Sequence, residues 1–476
     1  MKSSPFQSRI VQLIPPKLLR TDVDDTHFIH YAEAWARSTP SAVLLSGGFP
    51  PVEGRDRYSI ACRDPMAVFS SKGTSCTICD HRDKHSLTGD PLEIMDEFAA
   101  GFRPVFPLAV PPFSGGAVGY FAYDLKNTIE HLPQTACDDL NLPDILLFWP
   151  RQVLVHDRTL KQLHLLEFDY EGDTDSRLPA CPDSEPFNET DGVRSLRVGN
   201  LRSNFTHEEY LDAVGKVRHY IREGDVYQVN LSQRYSFSLD GNPFQLWKSL
   251  YDINPASFYA FINAGDHQVL STSMERFLLR RGRTIETRPI KGTRKRGETP
   301  DEDDALRREL LEDAKDDAEL SMIVDLLRND LGRVCEPRTI RVAEHKRLET
   351  YQNVHHLVSI VIGRLKKGVT AGELLRATFP GGSITGCPKI RAMEIIDELE
   401  PHVRHIYTGS IGYLGWHDNL DLNIAIRTAL IVGENCTFSV GGGIVYDSTE
   451  EAEYQETLHK GRTLFQLIER TGKASP

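Results

Sequence analysis

Hydrophobic positions in the first 170 residues fall in short runs rather than in helical stripes. AVLLSG (42–47), ILLFWP (145–150), RQVLVHD (151–157) and KQLHLLEFD (161–169) are bounded by Gly, Pro and Asp, which punctuate strands. The last two predict a hairpin turning at Arg158 and Thr159. Residues 171–200 lose the pattern and become acidic and rich in Ser and Pro. They predict a linker or loop between a 1–170 region and a 201–472 region.

From Asn204 the period becomes helical. Thr206 predicts a cap with His207, Glu208 and Glu209 in the first turn, and Tyr210, Val214, Val217 and Ile221 share one face as far as Gly224. Strand-like VYQVNLSQRYSFSL follows. Thr299-Pro300-Asp301-Glu302 is a second helix start: a capping threonine, a proline in the first turn, then acids at the positive end of the dipole. The helical pattern continues over Ala314–Leu331, with Leu320, Ile323, Val324 and Leu327 inward, and ends at Gly332. Further helices are predicted from Pro388 to Leu399 and from Ser448 or Thr449 to about Arg470. TGSIGYLG (408–415), NIAIRTALIV (423–432) and CTFSVGGGIV (436–445) read as strands. Helices and strands mix without a βαβ rhythm, which predicts an α+β fold with antiparallel sheets.

Composition narrows the classes. The chain has 476 residues, with 55 Lys and Arg against 68 Asp and Glu, a net charge of −13. That balance argues against binding a nucleic-acid backbone, which needs clustered positive charge. No apolar run approaches the roughly 18 residues of a membrane span, and the first residues lack the apolar core of a signal peptide. Eight scattered cysteines predict reduced thiols in a cytoplasmic protein. Cys76 and Cys79, with His81 and His85 just beyond, lie too close together for the usual zinc-ligand spacing and read as a surface hairpin.

Three constellations carry candidate chemistry. Asp316 and Glu319, and likewise Glu453 and Glu456, sit three apart on predicted helices, so each pair shares a face. Brought together they would make an all-oxygen site suited to Mg²⁺. The plainer alternative is a Glu456–Lys460 salt bridge on one helix and a solvated acidic run around Asp316 on the other. In FPGGSITGCPKIRAMEIIDELEP (379–401) a glycine-rich turn enters a helix, where free N–H groups and the Ser383 and Thr385 hydroxyls suit an anion. Cys387 stands where a P-loop would need lysine, and a tight turn explains the glycines equally well. In ETRPIKGTRKRG (286–297), Lys291 is a candidate nucleophile if partly buried, while Arg294, Lys295 and Arg296 read as solvent-facing. Glu275 is a candidate general acid if burial keeps it protonated.

These segments occur in a telling order: SMERF, RPIKGTR, AELSMIVDLLRNDLGRV, FPGGSITGCPK, YTGSIGY, then GGGIVYDS followed by Y-x-E-T. Together they resemble the chorismate-utilising family: anthranilate synthase component I, aminodeoxychorismate synthase component I, isochorismate synthase and salicylate synthase. The likeness spans roughly residues 200–470, and PFSGGAVGYFAYD (112–124) and DRYSI (56–60) resemble the N-terminal region of the first two. The resemblance implies antiparallel sheets packed in a sandwich flanked by helices. Anthranilate synthases carry alanine where Lys291 stands, and aminodeoxychorismate synthases carry lysine, so the resemblance implies the second branch. Leu44-Leu45-Ser46-Gly47 also lacks the L-L-E-S element of tryptophan-inhibited relatives. Gln228 stands where water-using members have a lysine base, which implies ammonia as the incoming nucleophile. Met274 and Cys387 depart from the family's usual proline and alanine, changing packing rather than a reactive group.

Residue by residue, the resemblance implies Mg²⁺ at Glu319 and Glu456 with Asp316 and Glu453 behind them, Lys291 as covalent nucleophile and Glu275 as acid. It further implies that Tyr407 and Arg427 bind the enolpyruvyl carboxylate of chorismate beside the Gly441, Gly442 and Gly443 backbone. Gln228, Thr293, His356, Ser383 and Lys460 complete the implied pocket. A separate glutamine amidotransferase is the implied source of ammonia, on the route to p-aminobenzoate and folate. The alternatives are anthranilate synthase component I and a non-catalytic, tryptophan-binding subunit. The intact set of Glu275, Lys291, Glu319 and Glu456 weighs against the last.

Overall fold

The computed structural model describes residues 6, 9–46, 57–80, 83–107, 113–170, 196–253, 255–351 and 354–472. Most of the predicted linker, residues 171–195, lies outside them; within its last few residues Arg197–Val198 is not loop but a short strand, paired with the end of Gln228–Asp240.

Strand pairing forms one network folded into two layers. The first layer runs, strand beside strand, through Phe102–Pro104, Arg9–Thr21, Gln162–Tyr170, Ile145–Asp157, Tyr58–Lys72, Ser41–Ser46, Ser257–Asn263, His267–Thr272, Thr428–Val432, Asn435–Ile444 and Gln228–Asp240. The second begins at the hairpin Lys84–Thr88 and Ser75–Asp80, passes through the other ends of Tyr58–Lys72 and Ile145–Asp157, and continues to Gly116–Phe121, Ser410–Gly415, Asn419–Asn423, Arg276–Arg281, Thr284–Arg288, Val354–Arg364 and Arg341–Thr350. Among the described residues, every pairing between these strands is antiparallel except Arg9–Thr21 with Phe102–Pro104. This is the predicted α+β sandwich.

The two long shared strands make the corner. Pro65 pairs with Pro150, the register slips between Pro65 and Ala67, and Asp64 takes φ 54°. Proline cannot donate to a ladder, so paired prolines mark a natural bend where strands pass from one layer to the other. ILLFWP and RQVLVHD are therefore one strand, Ile145–Asp157, and the predicted hairpin with Gln162–Tyr170 follows it.

The layers are packed on each other by residues such as Val118, Phe121, Phe148, Ile262, Val269 and Leu278. Each fully buried side chain of this size contributes roughly 1.5–3 kcal/mol. Tyr120 of the second layer and His267 of the first meet at 2.9 Å through Oη and Nε2. A second core lies under the helices Asp25–Ala36 and Pro243–Ile253, around Phe28, Trp35, Trp247 and Phe261. A third packs His207–Arg222 and Lys389–Leu399 against the strand Gln228–Asp240.

Helix boundaries follow the predicted caps. Thr206 and Glu209 form a reciprocal capping box, and the Thr299 side chain accepts from Glu302 N–H. Asp313 ends the helix Pro300–Glu312 and caps the next, Ala314–Gly332, so the pattern read as continuous is two helices. The strand predicted over 423–432 is broken. Asn419–Asn423 and Thr428–Val432 belong to different layers, and Arg427 between them takes φ 50°. Cys76 and Cys79 lie on a hairpin strand as predicted, with Ile78 opposite His85, but Cys76 is buried rather than at the surface.

Candidate active site

Lys291 lies on the strand Ile290–Lys295, whose pairing with Val354–Arg364 slips between Lys291 and Thr293. The residue at the slip is Gly292, at φ 73°, where a side-chain carbon would also sit 3.0 Å from the Asp316 carboxylate. Such a bulge re-aims the side chains around it. Lys291 is largely buried, and its Nζ is 3.8 Å from Glu319 Oε2. Thr293 Oγ1 and His356 Nδ1 are 2.9 Å apart. Burial, then the Arg427 charge, pulls the His356 pKa down to about 4, so the ring is neutral near pH 7.

Glu275 sits between the layers. Its N–H donates to Ser273 Oγ at 3.2 Å, and its carbonyl accepts from Ile424 N–H at 3.0 Å. Ser383 Oγ donates to Glu275 Oε1 at 2.6 Å. Burial pushes the carboxyl pKa up to about 7, against the opposing pull of Ser383, the Lys291 ammonium and the Ile290 N–H. A carboxyl balanced near neutrality suits proton donation. The Thr385 hydroxyl donates to Gly381 O at 3.1 Å inside the turn, so in the glycine-rich segment Thr385 is engaged within its own turn and Ser383 with the Glu275 carboxyl.

The floor of the site is a glycine ladder. Gly441, Gly442 and Gly443 pair with Ser232, Leu231 and Asn230. A methyl group on Gly442 would lie 3.0 Å from Glu453 Oε2 and 3.4 Å from Glu456 Oε1. One on Gly443 would lie 2.8 Å from Gln228 Nε2 and 3.6 Å from Lys291 Nζ. Gln228 Nε2 in turn donates to Glu319 Oε2 at 3.3 Å. The bare backbone thus brings the lysine, the glutamine and both acidic helices around one space.

Asp316 and Glu319 lie on Ala314–Gly332, and Glu453 and Glu456 on the helix Glu450–Gly472. Burial raises the pKa of Asp316, and burial with the neighbouring Glu456 charge raises that of Glu453. For Glu456 burial is outweighed by Lys460, whose Nζ lies 2.7 Å away, and by Lys291 and Lys315, which together hold its pKa down. Lys460 Nζ also donates to Gly441 O at 3.0 Å. Arg294, expected in solvent, is instead partly buried and ion-paired: it reaches Asp313 at 2.8 Å and Asp316 at 3.3 Å. Lys315 escaped the sequence reading, although its i,i+4 spacing to Glu319 was visible; their charged ends are 4.0 Å apart.

Among the described residues, no three His, Cys, Asp or Glu side chains converge closely enough to hold an ion as they stand. Yet Glu453 Oε2 is buried with no hydrogen-bond partner among the described residues, beside Glu456 and the bare Gly442. An orphaned carboxylate oxygen in an all-oxygen donor set fits a hard divalent cation.

Arg427 lies in the strand break. Its carbonyl accepts from Thr272 N–H at 3.1 Å, but among the described residues nothing accepts from its guanidinium, whose pKa burial pulls down. A half-buried cation without a counter-charge is a place for an anion from outside. Tyr407 is buried, and its ring lies 5.9 Å from the Arg404 guanidinium. No helix among the described residues is long and apolar enough to cross a membrane.

Comparison with known proteins adds to this geometry. The family described as chorismate binding enzyme matches residues 51–466. Aminodeoxychorismate synthase component 1 of Klebsiella aerogenes is 42% identical over 434 residues, covering 90% of this chain and 94% of that protein. Anthranilate synthase component 1 of Cereibacter sphaeroides is 40% identical over 438 residues, covering 88% of each. The crystal structure of anthranilate synthase component I from Streptococcus pneumoniae superposes with a TM-score of 0.74 at 31% identity, covering 87% of this chain and 94% of that one.

Proposed function

The chain belongs to the chorismate binding enzymes, and from that premise we propose that it is the chorismate-aminating subunit of an aminodeoxychorismate synthase. It would convert chorismate and ammonia to 4-amino-4-deoxychorismate. The observation that carries this reading is Lys291 Nζ, largely buried and 3.8 Å from Glu319 beside the glycine floor. Alanine at this position, as the anthranilate-forming branch carries, would leave no amine there.

In this mechanism Arg427 and Tyr407 hold the enolpyruvyl carboxylate, and the glycine floor lets the ring approach. Once Lys291 has lost its ammonium proton to solvent, its amine attacks C2, the ring double bond shifts, and the C4–O bond breaks. Glu275 gives its proton to the departing hydroxyl, which leaves as water. Ammonia then forms a bond to C4, the double bond returns, and the C2–N bond breaks, releasing lysine with its electron pair. Two successive displacements place nitrogen para to the ring carboxylate, which is why a covalent amine is useful. Glu319 and Glu456, backed by Asp316 and Glu453, would hold Mg²⁺, which supplies Lewis-acid stabilisation of the ring carboxylate when bound. A glutamine amidotransferase partner would deliver the ammonia, with free ammonium replacing it in vitro. The free cysteines found among the described residues support a reducing, cytoplasmic setting.

The test is chorismate consumption with Mg²⁺ and ammonium, with the product identified by mass spectrometry. We expect 4-amino-4-deoxychorismate. Anthranilate as product would establish the second reading, which the 40% identity to the Cereibacter sphaeroides protein supports. Lys291→Ala with unchanged rate and product would remove the covalent step.

A further inference from the structure

Arg404 joins three parts of the site without belonging to any implied list of substrate contacts. It is buried, and its donors are all engaged: Nε to Glu400 Oε2 at 2.9 Å, Nη1 to Ile384 O at 3.0 Å and Thr408 Oγ1 at 3.4 Å, and Nη2 to Glu400 Oε1 and Asn230 O, both at 2.6 Å. Its partner Glu400 is buried too, and accepts from Ser232 N–H at 2.8 Å and Ser232 Oγ at 2.9 Å.

The acceptors are informative. Ile384 follows Ser383, whose hydroxyl binds Glu275. Asn230 lies two residues beyond Gln228 and opposite Gly443 in the ladder. Thr408 follows Tyr407. The guanidinium also lies 4.8 Å from the ring of Tyr123, in the segment 112–124 that the family resemblance shares. That segment is stitched to the same loop: Tyr123 N–H donates to His405 O at 2.7 Å, and His405 N–H to Asp124 Oδ2 at 2.8 Å.

We propose that Arg404 is a positioning residue, whose planar fork fixes the Ser383 turn, the Tyr407 loop and the Gln228–Gly443 ladder relative to one another. This rests on the reading that the site aminates chorismate. A buried ion pair contributes little net stability against a well-packed apolar alternative, so its geometric effect is the better account of its presence here. Lysine could not replace it. An ammonium offers three donors from one point, whereas these acceptors lie on separate segments and need a rigid fork.

The experiment compares wild type, Arg404→Lys, Ser383→Ala and the double variant in chorismate consumption with ammonium. Displacing the acid's turn by about 1 Å should lower kcat on the order of 10²-fold for Arg404→Lys, with KM changing far less. The double variant should be no slower than the slower single, because both disconnect the same turn. Losses that multiply, a change in KM alone, or an unaffected kcat would each overturn the proposal. If Arg404→Lys does not fold, Ser232→Ala, which takes one hydroxyl from Glu400, should lower kcat several-fold with only a small loss of Tm; full kcat there overturns it equally. A wild-type protein that consumes no chorismate defeats the functional reading and this inference with it. An active wild type beside an unaffected Arg404→Lys defeats only this inference.

Discussion

Glu275 and Glu456 are carboxylates of one site, yet their surroundings push them in opposite directions. Glu275 is fixed by backbone hydrogen bonds between two sheet layers, and burial raises its pKa to about 7. Glu456 stands on a helix with nearly half its side chain exposed, and lysines hold its pKa down. The strand-borne side is dry and keeps a proton available, while the helix-borne side keeps negative charge available. A reaction that must protonate a leaving group and anchor an anion through a cation needs both environments within one pocket.

The contrast can be broken most severely at the dry end. Glu275→Gln removes the proton and should cost on the order of 10²-fold or more in the rate of chorismate consumption. The same change should stabilise the fold at pH 8. The unfolded carboxyl releases its proton near pH 4.3 and the folded one near 7, so the native state binds more protons across that window. Wild-type stability therefore falls as pH rises through it, and a glutamine is exempt. Melting temperatures at pH 5 and pH 8 should show the variant gaining on wild type at the higher pH.

A smaller effect should appear in the pH profile. Wild-type kcat should fall about tenfold per pH unit above about 7, as the acid form of Glu275 is depleted, and a flat limb would reassign the acid. On the helix side, Asp316→Asn should weaken Mg²⁺ binding by about tenfold in calorimetry while leaving that alkaline limb where it was. A shift of the limb would mean that the two sides are coupled rather than separate. Smallest of all, Thr206→Ala should cost about 1 kcal/mol in denaturant unfolding, by losing the capping box of His207–Arg222, while leaving the alkaline limb of kcat where it was.

Much of this was legible in the chain. Capping threonines placed helix starts to within a residue, because a cap is a local hydrogen bond between neighbours. Lys291, Glu275 and the two carboxylate pairs were legible as residue types at given spacings. What was not legible depended on contacts between distant segments. The run NIAIRTALIV reads as one strand, since no glycine or proline interrupts it, but Asn423 ends a strand of one layer, Thr428 begins a strand of the other, and the turn between them carries Arg427. Arg294 looks like one of three surface cations until Asp313 and Asp316 are folded against it. Arg404 is one arginine among many until its five hydrogen bonds are drawn.

The corner at Pro65 and Pro150 bears on how this molecule could ever be dissected. Ser41–Ser46 covers the edge of Ser257–Asn263, and Gly116–Phe121 that of Ser410–Gly415, so early and late parts of the chain are sewn into common sheets. Cleaving the polypeptide within the polar stretch after residue 170 would leave each fragment with naked strand edges that only the other can satisfy. Expressed apart, the pieces should clump; expressed together, they should find one another and rebuild a single body.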